Sequence, residues 1–155
     1  MRLQIASRLA IFALLELAAS PGRQVSVAEI GEKYGVSSHH LAKVMNALGR
    51  AGLVRAVRGA GGGYHFSGNA RRITLLDVIS LFENLESGNV EVGATGQATD
   101  EARALGGVLA EIDDAVRATL GSITIATLLR IVERGRGGRT SAAPADQRRE
   151  DPPPE

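Results

Sequence analysis

Residues 37–63 read SSHHLAKVMNALGRAGLVRAVRGAGGG, and this stretch decides the fold. Leu41, Val44, Met45, Leu48 and, past the helix end, Leu53 recur at helical spacing, which predicts an amphipathic helix with one apolar face. Ser37 or Ser38 suits its N-cap, where a side-chain oxygen accepts from an otherwise unpaired amide. Gly52 suits the position just past its end, where a left-handed backbone costs glycine little. His39, His40, Lys43 and Arg50 fall largely off the apolar stripe. A helix that carries small polar and basic groups at its N-terminal end fits the major groove of DNA. Residues 53–57 are β-rich, 58–63 too glycine-rich for a strand, and 64–67 (YHFS) read as a return strand. The result is a hairpin with a basic glycine tip, a wing that would lie along phosphates. A nucleotide loop is the rival reading of the glycines. Against it, the stretch lacks the Lys-Ser/Thr ending of a Walker loop and GxGxxG spacing, and a strand follows instead of a helix.

Upstream, residues 26–34 predict a short helix in which Ser26 and Glu29 have capping-box spacing. Gly35 turns the chain into the next helix, giving the helix-turn-helix order. Residues 3–19 predict the first helix. Ile5, Leu9, Phe12, Leu15 and Ala19 form one stripe, and Ala10, Ala13, Leu14 and Leu17 carry apolar character round it. Only Arg8 and Glu16 interrupt, so most of this helix is expected to be buried. Pro21 and Gly22 end it. Arg2 and Arg8 lie near its start, where they complement the helix dipole poorly; a phosphate contact and a merely solvated charge both explain them.

Downstream, Thr74 and Asp77 have capping-box spacing at the head of a helix expected over 74–83, packed back on the first helix through Leu75, Val78, Ile79 and Phe82. Residues 86–99 are small and polar with no period, a long loop. A long helix is expected over 100–120, with apolar Leu105, Val108, Leu109, Ile112, Val116 and Leu120 along it, although Gly106 and Gly107 weaken it. Such a helix outside a small domain pairs with its twin or folds back on its own core; symmetric reading of two half-sites favours pairing. Ser122 or Thr124 caps a last helix to about Val132, with Ile125, Leu128, Leu129 and Val132 on one face. Residues 134–155 are rich in Gly, Pro and charge and read as a disordered tail.

The totals agree with this plan. Three Phe, two Tyr and no Trp leave the core to Leu, Ile, Val and Ala, which favours helices. The net charge of +1 hides an asymmetry. Up to Arg72 there are ten basic residues against three acidic ones, a surplus of +7, so the remainder carries −6. A basic half joined to an acidic half suits a nucleic-acid binder with a separate pairing or regulatory half; chance segregation in a soluble protein is the bland alternative. No run is long and apolar enough to span a membrane, and residues 9–19, broken by Glu16, lack the flanks of a signal peptide, so the expected location is the cytoplasm. There is no cysteine, hence no disulfide and no thiolate metal site. No nucleophile–base–acid set is visible, so no enzymatic activity is expected.

Five pieces carry a resemblance: MRLQIASRLAIFALLELA at the start, VSVAEIGEKYGVSSHHLAKVMNALGRAGLV, RAVRGAGGGYHFS, ITLLDVISLFE, and the late SITIATLL. Together they span nearly all of residues 1–132 and resemble the Rrf2 family of winged-helix transcriptional regulators, which includes IscR, NsrR and CymR types. The stretch 40–44 (HLAKV) is most similar to the NsrR branch. The resemblance implies a homodimer that binds double-stranded DNA. It implies a groove-facing set of Ser37, Ser38, His39, His40 and Lys43, and a wing set of Arg55, Arg58, Gly59, Gly61, Gly62 and Gly63, with Arg2 reaching a phosphate. It also implies that the long helix joins the subunits.

Cluster-binding members of that family hold iron and sulfur through three cysteines, in the loop and at the start of the long helix. The equivalent residues 93–103 (GATGQATDEAR) contain none, and the acidic N-terminal ligand of some NsrR-like members is Arg8 here. His39, His40 and His65 all lie in the DNA-binding half and cannot rebuild that site. No cofactor and no metal are therefore expected.

The expected architecture is mainly α with a small β-wing: a winged helix-turn-helix domain over 1–84, a sensor or effector loop over 85–99, a dimerisation helix and final helix over 100–133, and the tail. The expected function is a sequence-specific, cluster-free repressor acting as a homodimer on palindromic operators. A cysteine-stripped form of an iron–sulfur or nitric-oxide sensing repressor, and a winged-helix adaptor for another protein, remain the alternatives.

Overall fold

In a computed structural model, which describes residues 2–85 and 99–140, the elements follow in the order α1 (Ile5–Ala19), α2 (Val27–Tyr34), α3 (Ser38–Arg50), β1 (Val54–Val57), β2 (Gly63–Phe66), α4 (Leu75–Ile79), α5 (Asp100–Ser122) and α6 (Ile125–Thr140). The two strands are antiparallel, pairing Val54 with Phe66, Arg55 with His65, Ala56 with Tyr64 and Val57 with Gly63. Val25, just ahead of α2, adds a bridge to Tyr64 on the free side of β2. The fold is thus mostly helical with a small β-wing. Among the described residues no helix is long and apolar enough to cross a membrane.

α1 is the central post, with α3, α4, α6 and β2 packed around it. Its buried residues are Ser7, Leu9, Ala10, Ile11, Ala13, Leu14 and Leu17. The stripe expected from the sequence is a different one: Ile5 and Phe12 are exposed at 56% and 38%, and Ala19 is exposed too. A helix that is apolar on every side gives periodicity nothing to choose with, so its neighbours choose the buried face. Ala10 and Ala13, both fully buried, let those neighbours come close.

Among the described residues Ser7 is the one buried polar side chain, and it donates its hydroxyl proton to Glu83. Glu83 also accepts from the amide of Gln4 at 3.2 Å. α4 ends at Ile79, earlier than the helix expected over 74–83. Its capping box is present, with Thr74 accepting from the Asp77 amide and Asp77 from the Thr74 amide. After it, the Leu81 amide donates to Val78 and the Phe82 amide to Ile79, three-residue steps that tighten the chain and bring Glu83 to the head of α1.

A second polar tie joins α1 to α2. The Tyr34 hydroxyl donates to Glu16 at 2.6 Å, and Lys33 forms an ion pair with the same carboxylate. Phe12 stacks on Tyr34 with centroids 4.8 Å apart, and the Lys33 ammonium lies 5.6 Å from that ring's centre. Burial pushes the Glu16 carboxyl up, but the hydrogen bonds from Lys33 and Tyr34 and the charges of Lys33 and Arg136 outweigh it and hold the carboxyl below its ordinary value. Burial and the Glu16 carboxylate push the Tyr34 hydroxyl up.

The α5–α6 junction is stitched to the segment before α4. Thr74 bridges Thr124, the Leu75 amide donates to Ile123 at 2.8 Å, and the Ile125 and Ala126 amides donate to Ile73 and Ala70 at 2.9 Å. Thr124 caps α6 by accepting from the Thr127 amide at 3.1 Å. α6 continues to Thr140, which corrects the expectation that the chain is a disordered tail from residue 134. The apolar period stops at Val132, but the backbone ladder runs on through Gly135 and Gly137 despite the low helix propensity of glycine. Arg136 also brings its charge to bear on Glu16 of α1. Residues 141–155 lie outside the described residues, as does nearly all of the expected sensor loop.

Candidate nucleic-acid interface

The helix-turn-helix is built from capping and close approach. Ser26 accepts from the Glu29 amide at 3.1 Å and Glu29 accepts from the Ser26 amide at 2.8 Å. The turn between α2 and α3 brings the Val36 amide to the Gly31 carbonyl at 2.9 Å. A Cβ on Gly31 would sit 2.8 Å from the Val36 carbonyl oxygen, so only glycine lets the turn pass this close. Ser37 is the N-cap of α3, its hydroxyl accepting from the His40 amide at 3.3 Å.

α3 buries Leu41, Val44, Met45 and Leu48, the face expected from periodicity. Its opposite face exposes Ser38, His39, His40, Lys43, Asn46 and Arg50. Lys43, Asn46 and Arg50 line a hollow of about 540 Å³ on that face. Ser37 is exposed, but its oxygen is already occupied as the cap. Asn46 is absent from the set that the resemblance implies. The signal that finds it is spacing: His39, Lys43, Asn46 and Arg50 recur at i, i+4, i+7 and i+11, one straight row along the helix.

The wing follows directly. The Ser67 amide donates to Leu53 at 3.1 Å and its hydroxyl to Gly52 at 2.9 Å, which fastens the return strand to the end of α3. At the tip the Gly62 amide donates to Gly59 at 2.9 Å, and Gly59 and Gly61 have φ of 119° and 77°. Arg55, Arg58, Gly59 and Gly61 are exposed. Gly62 and Gly63 are half-buried and serve the wing's own packing: a Cβ on Gly63 would lie 2.7 Å from the Val25 carbonyl oxygen. Arg2 is exposed ahead of α1, the helix on which α3 packs.

Among the described residues these charges are cancelled only in part. Of the three acidic residues before Arg72, Glu16 is engaged by Lys33 and Glu29 by Arg23 at 2.7 Å. Among the described residues, Arg2, Arg8, Lys43, Arg50, Arg55, Arg58, Arg71 and Arg72 have no carboxylate partner. The two paired cations flank the α1–α2 junction, and the unpaired ones include every lysine and arginine of α3 and the wing.

α5 spans 23 residues, about 35 Å. Leu120 alone is buried along it, and Leu105, Val108 and Ile112 are exposed at 51%, 55% and 52%. Of the expected dimerisation residues, Leu120 therefore belongs to the chain's own core, and half-buried Val116 packs against that core. Leu109 is half-buried. The cause is the stitched junction, which pins the C-terminal end of α5 beside α4 and leaves its N-terminal half uncovered.

This geometry has counterparts in known proteins. The model of the Rrf2 family, described as an iron-dependent transcriptional regulator, matches residues 3–131. BadM of Rhodopseudomonas palustris, named as an HTH-type transcriptional regulator, is 48% identical over 136 residues, 88% of this chain and 86% of its own. The structure of CymR, the global cysteine regulator of B. subtilis, superposes with a TM-score of 0.70 at 28% identity, covering 84% of this chain and 98% of that one. IscR of T. potens superposes with a TM-score of 0.66 at 26% identity, covering 88% and 91%.

An iron–sulfur cluster of the kind held by thiolates does not fit the donors of this sequence. Iron–sulfur clusters are held mainly by thiolates, and the sequence has no cysteine. Among the described residues no three His, Cys, Asp or Glu side chains gather as a metal site.

Proposed function

The chain belongs to the Rrf2 family of transcriptional regulators, and on that premise we propose that it is a sequence-specific DNA-binding repressor that works as a homodimer on palindromic operators without an iron–sulfur cluster. The observation that carries this reading is the unpaired cationic set on the outward face of α3 and on the wing. Lys43, Arg50, Arg55 and Arg58 are exposed with no carboxylate among the described residues to neutralise them. Phosphates would supply the missing charge, and affinity would fall steeply with salt as counterions are released.

The second half of the reading rests on α5. Leu105, Val108 and Ile112 form an exposed apolar row on the N-terminal half of α5, which the other described residues leave uncovered. A second copy would bury that row and present two α3 helices related by a two-fold axis, the symmetry a palindrome shares. Both halves describe a binding protein of the cytoplasm, not an enzyme. The test is a mobility-shift assay with the DNA upstream of the gene, run beside a scrambled duplex. Preferred binding of the upstream DNA supports the reading, and equal or absent binding rejects it.

A further inference from the structure

Asn46 stands near the centre of α3 with its side chain exposed and, among the described residues, with no hydrogen-bond partner. Asparagine in a helix interior lowers helix stability relative to alanine, because its side chain favours other backbone conformations. Nothing among the described residues offsets that cost: the residue lies mid-helix, caps nothing and faces outward. Its neighbours along the outward row are Lys43, one turn before it, and Arg50, one turn after it, and the three line one hollow. Both neighbours are pure hydrogen-bond donors, suited to phosphates or guanine. Asn46 is different in kind, since it carries a donor and an acceptor on one planar group, the pattern that adenine presents at N6 and N7 in the major groove.

We propose that Asn46 reads an adenine in the major groove, so that each half-site carries an A·T pair opposite the third turn of α3. This rests on the DNA-binding reading above. Lys43 and Arg50 hold the duplex against the helix on either side, and Asn46 makes the contact that depends on sequence.

The test uses the full-length protein and a duplex selected by it from a randomised library. Each adenine of one half-site is replaced in turn by 7-deazaadenine, which removes the N7 acceptor and leaves pairing intact. The wild type is expected to lose roughly five- to hundredfold in affinity at one position. Asn46→Ala is expected to be indifferent to that same replacement, to keep the salt dependence of the wild type, and to melt no lower. An Asn46→Ala protein as sensitive to the replacement as the wild type overturns the proposal. So does one that loses affinity equally for selected and random duplexes, which would make Asn46 a backbone contact. A wild type that binds no duplex, selected or random, rejects the DNA-binding reading itself and this proposal with it.

Discussion

Val25 and Tyr64 exchange two backbone hydrogen bonds of 2.9 Å each, a single bridge that ties the approach to α2 to the free edge of the wing. The pair fixes the angle between the hairpin and the helix-turn-helix. β2 is also fastened to the end of α3 through Ser67, so backbone hydrogen bonds join the wing to both helices of the helix-turn-helix.

Gly63 is the tight point of the contact with Val25. A Cβ there would lie 2.7 Å from the Val25 carbonyl oxygen, and both partners are backbone, so neither can swing aside. Gly63→Ala is expected to cost about 1–3 kcal/mol, read as a lower Tm. Gly106→Ala is the control. It meets nothing within 4 Å among the described residues and lies inside α5, so it should leave the Tm unchanged or raise it.

Lys43 and Arg58 are exposed and have no carboxylate partner among the described residues. Replacing either with alanine should weaken binding to any duplex and leave the melting curve in place. The slope of log K against log salt should become shallower by about 0.9 for each phosphate no longer neutralised. Fluorescence anisotropy over a salt series measures both effects. Unchanged binding in both variants would remove them from the interface.

α5 offers a paired contrast. Ile112 is 52% exposed, whereas Leu120, further along the same helix, is 9% exposed and part of the core. Ile112→Asp should turn a dimer into a folded monomer, seen as a halved mass by light scattering with an unchanged circular dichroism spectrum. Leu120→Asp should instead destabilise the chain itself by several kcal/mol, because it buries an unpaired charge. A wild type that is already monomeric would refute the pairing role of α5.

Glu16 gives the fold a dependence on acid. Its folded carboxyl titrates below the ordinary value of 4.5, so its contribution is complete above that value and is lost as pH falls through the folded one. Thermal melts from neutral pH downward should show the wild type losing stability in that window. Glu16→Gln should start lower at neutral pH and lose less, so that the two curves converge in acid.

The helix-turn-helix and wing were legible because local chemistry specifies them. The capping box of Ser26 and Glu29, the cap at Ser37 and the apolar face of α3 are each written within a few residues. Three features were not. The buried face of α1 depends on which neighbours pack where, and a helix apolar all round does not record that. The extent of α6 past Val132 lies beyond the last apolar residue, where periodicity has nothing to report. Leu120 looks like one more rung of the α5 row, and only the bonds from Leu75 to Ile123 and from Ile125 to Ile73 place it inside. In the candidate site, basic residues announced themselves by charge, while Asn46 shows only once its place in the exposed row is counted.

The most direct measurement is binding of the purified wild type to the duplex upstream of its gene and to a scrambled duplex of equal length, across a salt series. Recognition by α3 and the wing predicts tighter binding of the upstream duplex at every salt concentration, with log K falling linearly and steeply as log salt rises. Failure to bind either duplex in dilute buffer would contradict it.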